Sequence, residues 1–260
     1  MSEDEIILTH ILQCRAIDLA VDGLALTPSQ EEQFRRYKCR RLAGEPLQYI
    51  LGCCDFMGLE LGVNPTVLVP RPETEQLVDT ALKYFKGGAA LDLGTGSGNI
   101  AVALAKFVEH CEVIAMDKSA QALDTARANA KRHGVMQRMT FIHGDMSNEK
   151  FILNLLKDAK FDLVISNPPY IPTEQLSTLP QDVRKEPPAA LDGGRDGLKF
   201  IRIIIKYTPC LLRKGACLMM EFGDGQAEAV KQLAQDTRLF STIEIFKDLA
   251  GRDRVMRAVL

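Results

Sequence analysis

The chain has 260 residues, of which 46% are hydrophobic and 25% are charged, so it can bury a sizeable core in one or two domains. Its 32 basic and 34 acidic residues leave a net charge of −2, which argues against the strongly basic face of duplex-binding proteins. Seven cysteines without a C-x-x-C pair and four scattered histidines predict no metal site and a reducing, cytoplasmic location. An acidic amino terminus with no long apolar stretch behind it predicts neither a signal peptide nor a membrane span.

Two segments near the amino terminus carry apolar residues at helical spacing. They are Glu3–Ala20, which includes Ile7, and Pro28–Ala43, which includes Tyr37. We therefore predict a small helical domain over residues 1–46.

The segment that follows has a different character. From Leu47 to Leu68 the apolar pieces are short and are separated by turn-forming residues. Those residues are Gly52, Gly58, Gly62 and Pro65. We predict a β-hairpin linker over residues 47–71.

From Pro72 onward, helical and strand patterns alternate, which predicts a mainly parallel sheet in a domain over residues 72–260. A late strand is predicted at Ala216–Phe222. The last two strands, Ser241–Phe246 and Arg254–Val259, are predicted to close the sheet in antiparallel fashion.

A glycine-rich turn, Leu91–Gly98, joins an apolar strand to the predicted helix Asn99–Val108. Glycine permits positive φ and lets a ligand approach the backbone closely. The spacing is G-x-G-x-G and lacks the third glycine of the dinucleotide fingerprint, so it argues against NAD. No P-loop sequence is present either.

Acidic residues end the next two predicted strands. Asp117 stands about 20 residues after the glycine turn, where doubly wound folds place a carboxylate that binds ribose hydroxyls. It can also serve as the N-cap of a helix at Ser119–His133. Asp145 follows the strand Met139–Ile142 and can either accept the amine of an adenine, with Met146 against the ring, or be a turn residue.

The most specific pattern is Asn167-Pro168-Pro169-Tyr170, at the end of the apolar strand Phe161–Ser166. The two prolines predict a stiff loop at the carboxyl end of a strand, where open α/β sheets place their ligands. The Asn167 side chain and the Pro168 carbonyl offer acceptors for both protons of a planar –NH2 group, and Tyr170 offers a flat face. A Pro-Pro pair alone would more often merely end a strand.

The glycine turn, Asp117, Gly144-Asp145 and the Asn-Pro-Pro-Tyr loop, in this order, resemble the class I S-adenosylmethionine-dependent methyltransferases. Further segments make the chain similar to the release factor glutamine methyltransferases, which are protein-(glutamine-N5) methyltransferases of the HemK/PrmC type. Those segments are Arg41–Gly52, Val69–Glu75, Glu186-Pro187, Leu191–Leu198 and Asp248–Val255.

The resemblance implies an α/β class I methyltransferase fold, with a Rossmann-like, mainly parallel seven-stranded sheet, a small helical amino-terminal domain and a β-hairpin connector. It implies methyl transfer from S-adenosylmethionine to the side-chain amide nitrogen of the glutamine in the Gly-Gly-Gln motif of peptide chain release factors. The residues that it assigns to the cofactor are Gly94, Thr95, Gly96, Ser97, Gly98, Asp117, Asp145, Met146 and Asn167. It assigns catalysis to Asn167, Pro168 and Tyr170, and substrate binding to Asn167, Pro168, Pro169 and Tyr170.

Three points stay open in the sequence. The segment Arg71–Glu75 fits either a well-made helix start or a lid over the cofactor. The basic run Arg35–Arg41 is either a solvated helix face or a docking patch for a protein partner or for RNA brought along with it, although nearby acidic residues weaken the RNA interpretation. An adenine-N6 methyltransferase acting on nucleic acid is the alternative function, although the chain has neither the charge nor an insert for base extrusion. We expect a monomer that binds release factors, and neither a membrane nor a specific nucleic acid sequence.

Overall fold

The computed structural model describes residues 1–15, 17–18, 25–155 and 160–260. Its amino-terminal part contains α1 (Glu3–Leu12), α2 (Pro28–Leu42) and the short α3 (Leu47–Leu51). Ser2 and Thr27 begin α1 and α2 with capping boxes, in which each hydroxyl accepts a hydrogen bond from the backbone N–H three residues later.

The first helix is shorter than the predicted Glu3–Ala20. It ends at Leu12 because Gln13 adopts a left-handed conformation with φ 51°, and its N–H turns back to the carbonyl of Thr9. Of the predicted extension, residues 16, 19 and 20 lie outside the described residues.

The hairpin consists of β1 (Cys53–Phe56) and β2 (Leu59–Gly62), which pair antiparallel. Met57 and Gly58 form its two-residue turn with φ of 53° and 74°, positive at both positions as in a type I′ turn. The prediction of a hairpin from Leu47 is wrong for α3, a single helical segment that Gly52 ends at φ 76°.

Seven strands form the main sheet in the order β5-β4-β3-β6-β7-β9-β8. The first four neighbouring pairs are parallel and the last two are antiparallel, which confirms the predicted mixed sheet. The strands are β3 (Gly88–Leu93), β4 (Cys111–Asp117), β5 (Met139–His143), β6 (Phe161–Ser166), β7 (Leu212–Glu221), β8 (Thr242–Lys247) and β9 (Asp253–Val259). β7 begins four residues before the predicted Ala216.

Helices cover both faces of this sheet. The remaining helices are α4 (Pro72–Tyr84), α5 (Asn99–Phe107), α6 (Ala120–Arg132), α7 (Glu149–Leu155), α8 (Pro188–Leu191), α9 (Lys199–Leu211) and α10 (Ala227–Asp236). Successive strand residues point to opposite faces, so Leu163 packs in a cluster with α4, α5 and α6, whereas Val164 packs with α7, α9 and α10.

The strand order places a switch point between β3 and β6, because β4 lies on one side of β3 and β6 on the other. The loops that follow β3, β4, β5 and β6 therefore meet at one carboxyl edge, where such sheets bind ligands. Within the described ranges, none of the helices has both the length and the apolarity needed to cross a membrane.

Candidate active site

A cavity of about 760 Å³ opens at this carboxyl edge, and we call it the first cavity. Four neighbouring parallel strands contribute to its wall: Gly94 follows β3, Asp117 ends β4, Met146 follows β5 and Asn167 follows β6.

The glycine turn forms one side of the first cavity through Gly94 and Gly96. Gly96 has φ 55°, and a Cβ added there would meet nothing within 4 Å, so the bare backbone faces open space. The structure does not bring Thr95, Ser97 or Gly98 to the cavity wall. The Thr95 hydroxyl instead donates to Asp92, at 2.6 Å.

Asp117 is held rigidly at the edge of the first cavity. One carboxylate oxygen accepts the Gly96 N–H at 2.9 Å and the other accepts the Ser119 N–H at 2.8 Å. The N-cap of α6 is Ser119, whose hydroxyl accepts from Ala122, so the N-cap interpretation of Asp117 is wrong. Asp117 thus links the glycine turn to the end of β4.

Asp145 and Met146, from the loop after β5, also line the first cavity. Burial raises the pKa of the Asp145 carboxyl, but hydrogen bonds from the Ser147 hydroxyl and N–H, both at 2.7 Å, outweigh it and lower the pKa overall. The Met146 methyl packs against Gly94, where an added Cβ would lie only 2.8 Å away. The carboxylate is therefore ionised and fit to accept a hydrogen bond from an amine.

A second cavity, of about 560 Å³, adjoins the Asn-Pro-Pro-Tyr loop and includes Arg71, Pro168 and Tyr170 in its wall. Asn167 lines both cavities, and Pro169 lines the first. A group that enters the second cavity and binds Asn167 therefore comes next to whatever occupies the first cavity.

Two buried side chains from outside the loop, Thr74 and Glu221, hold it in place. The Asn167 amide nitrogen donates to the Thr74 hydroxyl at 2.9 Å, and the Thr74 hydroxyl donates to Glu221 at 2.8 Å. The Tyr170 hydroxyl donates to the other Glu221 oxygen at 3.1 Å. Glu221 is fully buried at the end of β7, so one carboxyl group anchors both ends of the loop.

The glycine-rich segment 193–197 supports Tyr170 by close approach. A Cβ on Gly193 would lie 2.7 Å from the Tyr170 Cα, so only glycine fits there. On the other side, the Gln226 amide donates to the Tyr170 carbonyl at 3.0 Å. These contacts fix the tyrosine backbone, while Glu221 fixes its hydroxyl.

The segment Arg71–Glu75 starts α4 and also ties neighbouring elements together. Arg71 binds the buried Glu186 at 2.5 Å and lines the second cavity, while the Glu75 carboxylate accepts the Met57 N–H of the hairpin at 2.7 Å. Burial raises the pKa of Glu186 despite the neighbouring Arg71. No residue of this segment lines the first cavity, so the helix-start interpretation fits and the lid interpretation does not.

The basic run on α2 is largely paired within the molecule. Lys38 binds Asp4 at 2.6 Å, Arg40 binds Glu45 at 2.5 Å, and Arg41 binds both Glu3 at 2.9 Å and Asp182 at 3.3 Å. Within the described part of the chain, no carboxylate lies within 4.0 Å of Arg35 or Arg36, and Arg36 stacks over Tyr37. The pairing favours a solvated helix face over a broad docking patch.

Several wall residues carried no signal in the sequence. Leu68 from the segment after the hairpin and Ala190 from α8 line both cavities, and Phe200 from α9 lines the first. Thr74 and Glu221 lie behind the wall. All are ordinary helix, strand or loop residues locally, and only the fold places them together.

Comparison with known proteins agrees with this geometry. Residues 73–194 match the family model for the methyltransferase small domain, and residues 2–52 match that for the PrmC N-terminal domain. The release factor glutamine methyltransferase of Geobacter sulfurreducens is 43% identical over 98% of this chain and 87% of its own length. The protein of the same name from Nitratidesulfovibrio vulgaris is 42% identical over 98% and 86%.

The fold has solved counterparts at lower identity. A crystal structure of a methyltransferase from Pyrococcus furiosus superposes with a TM-score of 0.58 at 19% identity, over 86% of this chain and 98% of that one. This likeness concerns the fold alone, whereas the full-length relatives share the sequence as well. The chain is thus a methyltransferase and belongs to the family of release factor glutamine methyltransferases.

Proposed function

We propose that this protein transfers a methyl group from S-adenosylmethionine to the side-chain amide nitrogen of the glutamine in the Gly-Gly-Gln motif of peptide chain release factors. The observation that carries the proposal is the position of Asn167, which lines both cavities. The names of the full-length relatives support the choice of amide and substrate.

The first cavity suits S-adenosylmethionine in the chemistry of its lining residues. Gly96 presents bare backbone, the fixed Asp117 carboxylate suits ribose hydroxyls, and Asp145 suits the amine of adenine, with Met146 beside the ring. Gly94 and Asn167 complete this wall, while Thr95, Ser97 and Gly98 shape the turn from within. When bound, S-adenosylmethionine supplies a methyl group on a positively charged sulfur, so transfer breaks a C–S bond, forms an N–C bond and releases one amide proton.

The second cavity suits the glutamine side chain. The Asn167 oxygen and the Pro168 carbonyl accept the two amide N–H groups, the face of Tyr170 confines the amide plane, and Pro169 completes the slot from the side of the first cavity. An amide nitrogen is a poor nucleophile because its lone pair is delocalised. Fixing both N–H bonds aligns the lone pair and favours the positive charge that develops on nitrogen.

We further propose that residues 1–46 form a domain that docks the release factor and that residues 72–260 form the domain that catalyses methyl transfer. Residues 47–71 link these two domains. Arg41 connects α1 and α2 to Asp182, which lies next to Val183 in the wall of the second cavity. A docked substrate would thus lie beside the entrance used by its glutamine. This substrate implies a cytoplasmic enzyme, and we expect it to act as a monomer.

The test is methyl transfer from labelled S-adenosylmethionine to purified release factor. Parallel reactions contain the factor with its Gly-Gly-Gln glutamine replaced, duplex DNA, and total RNA. Label on the intact factor alone supports the proposal. Label on nucleic acid would mean that the slot accepts adenine and would overturn it.

A further inference from the structure

We propose that Thr74 and Glu221 are positioning residues that decide which end of the Asn167 amide faces the substrate. The inference rests on the proposed function and deepens it. Thr74 lies in the first turn of α4 and Glu221 ends β7, so neither is part of the Asn-Pro-Pro-Tyr loop.

The need for positioning comes from the shape of the amide. The oxygen and nitrogen of an asparagine side chain occupy nearly the same space, so packing alone does not choose between the two orientations. Only hydrogen-bond partners distinguish them. An Asn167 turned the wrong way would present donors to a substrate –NH2 group that itself only donates.

The contacts behind Asn167 make this choice. A threonine hydroxyl has a single proton, and in Thr74 that proton is donated to Glu221 at 2.8 Å. The Thr74 oxygen then accepts, and the end of Asn167 that binds it must be the nitrogen, at 2.9 Å. The amide oxygen is thereby directed away from Thr74 and is available to the substrate.

The chain of hydrogen bonds depends on an ionised Glu221. A carboxylate only accepts, so Thr74 and Tyr170 must both donate to it. A protonated Glu221 can donate to Thr74 instead. Thr74 would then donate to Asn167, and the amide would turn its oxygen inward.

The surroundings of Glu221 allow both its ionised and its protonated form near neutral pH. Burial raises its pKa to about 7, although the hydrogen bonds from Thr74 and Tyr170 and the charge of Arg254 act in the opposite direction. Glu73 of α4 raises the pKa further, and Arg254 of β9 is itself buried beside Phe222. Acidification through neutrality should therefore disorder the orientation of Asn167.

The experiment compares Thr74→Val, Thr74→Ser and Glu221→Gln with the wild-type enzyme, using release factor as substrate across a range of pH. At pH 8, we expect Thr74→Val and Glu221→Gln to lower kcat about tenfold or more, since they loosen an amide that acts in the transition state. The affinity for S-adenosylmethionine should stay within about twofold in both, and Thr74→Ser should keep most of the wild-type kcat because it keeps the hydroxyl.

The pH profile separates positioning from a merely structural role. Wild-type kcat should fall as the pH drops through about 7, the pKa of the Glu221 carboxyl, and this acid limb should be missing in Glu221→Gln. A wild-type kcat in Glu221→Gln, an unchanged acid limb, or a Thr74→Ser enzyme as impaired as Thr74→Val would each overturn the inference. If Glu221→Gln does not fold, the comparison of kcat between Thr74→Val and Thr74→Ser tests the inference.

The wild-type reaction tests the proposed function, and the variants test the positioning roles of Thr74 and Glu221. A wild-type enzyme that fails to methylate release factor refutes the proposed function itself. A wild-type enzyme that methylates it, together with variants that work equally well, refutes only the positioning roles.

Discussion

At the scale of single residues, Asn167 is the side chain on which turnover should depend most. It lies where the two cavities meet and has its nitrogen engaged by Thr74. We expect Asn167→Ala to fold and to bind S-adenosylmethionine nearly normally but to lose roughly 100-fold in kcat, since loss of one such transition-state contact costs ~3 kcal/mol. Steady-state kinetics with release factor tests this, and near-native turnover would refute the role of Asn167.

Asp117 should act on binding instead of turnover. Its two oxygens are fixed by the N–H groups of Gly96 and Ser119, which holds the carboxylate ready for ribose hydroxyls. We expect Asp117→Ala to weaken S-adenosylmethionine binding about tenfold or more, because a charged hydrogen-bond acceptor is lost. Calorimetric titration measures this, and Asp124→Ala, on the exposed side of α6, is the control. Equal affinities in the two variants would contradict the ribose assignment.

The residues of the site differ in how far the sequence predicts them. Asn167, Tyr170 and the glycine turn are contiguous motifs, and they lie at the carboxyl edge as expected. Thr74 and Glu221 are 147 residues apart, and each looks like an ordinary helix or strand residue until the fold brings their side chains within 2.8 Å. Such a pair has no local signature.

At the scale of elements, Arg41 links α2 to the body of the protein. It is partly buried and binds Glu3, the Glu45 carbonyl and Asp182. Arg36 on the same helix stacks on Tyr37 and has no ion pair with any residue that the structure describes. If residues 1–46 dock the substrate, Arg41→Glu should raise the KM for release factor several-fold and leave the affinity for S-adenosylmethionine unchanged.

The matched control for Arg41 is Arg36→Glu, which makes the same charge change on the same helix. We expect it to leave the KM for release factor nearly unchanged, because a single exposed charge contributes little. Equal effects of the two reversals would show that the charge of α2, and not the link to Asp182, guides docking.

The sequence pattern predicts the main sheet but not two helix features, the presence of α3 and the end of α1. The alternation of helices and strands predicts the main sheet, including its antiparallel end. A five-residue helix such as α3 is too short to show a period, so the sequence pattern assigns it to the hairpin. The end of α1 depends on the backbone conformation of Gln13, a residue type that rarely adopts positive φ.

At the scale of the whole molecule, the buried carboxyl of Glu221 should reduce stability at alkaline pH. Its pKa is about 7 in the folded protein against an ordinary value of 4.5, so the folded state binds the proton more tightly. The stability that this provides is fully present below pH 4.5 and is lost as the pH rises through about 7. The loss is at most on the order of 3 kcal/mol.

Glu221→Gln removes this titration without changing the shape of the side chain. The free energy of unfolding of the variant minus that of wild type should therefore be more positive at pH 8 than at pH 5. Urea unfolding at the two values measures the change. Asp92, whose pKa burial also raises to about 7, is present in both proteins and cancels in the comparison. A difference that does not vary with pH would contradict the burial of an ionisable carboxyl at this position.

The family and the class of fold are the parts of the whole-molecule prediction that are confirmed, since relatives share the sequence over nearly its full length. Several independent motifs in one order made that prediction possible. The expected monomer and the domain boundaries at residues 46 and 71 stay predictions, because surface composition alone does not encode them.

The most direct test of the whole account is to locate the methyl group on the product. Release factor incubated with the enzyme and S-adenosylmethionine is digested, and the peptide that contains the Gly-Gly-Gln motif is sequenced by tandem mass spectrometry. The account predicts one added methyl group, on the side-chain amide nitrogen of that glutamine, and roughly 100-fold less of this product when the Asn167→Ala variant replaces the enzyme at the same concentration and time. A methyl group on any other residue, or an unmodified glutamine beside consumed S-adenosylmethionine, would contradict it.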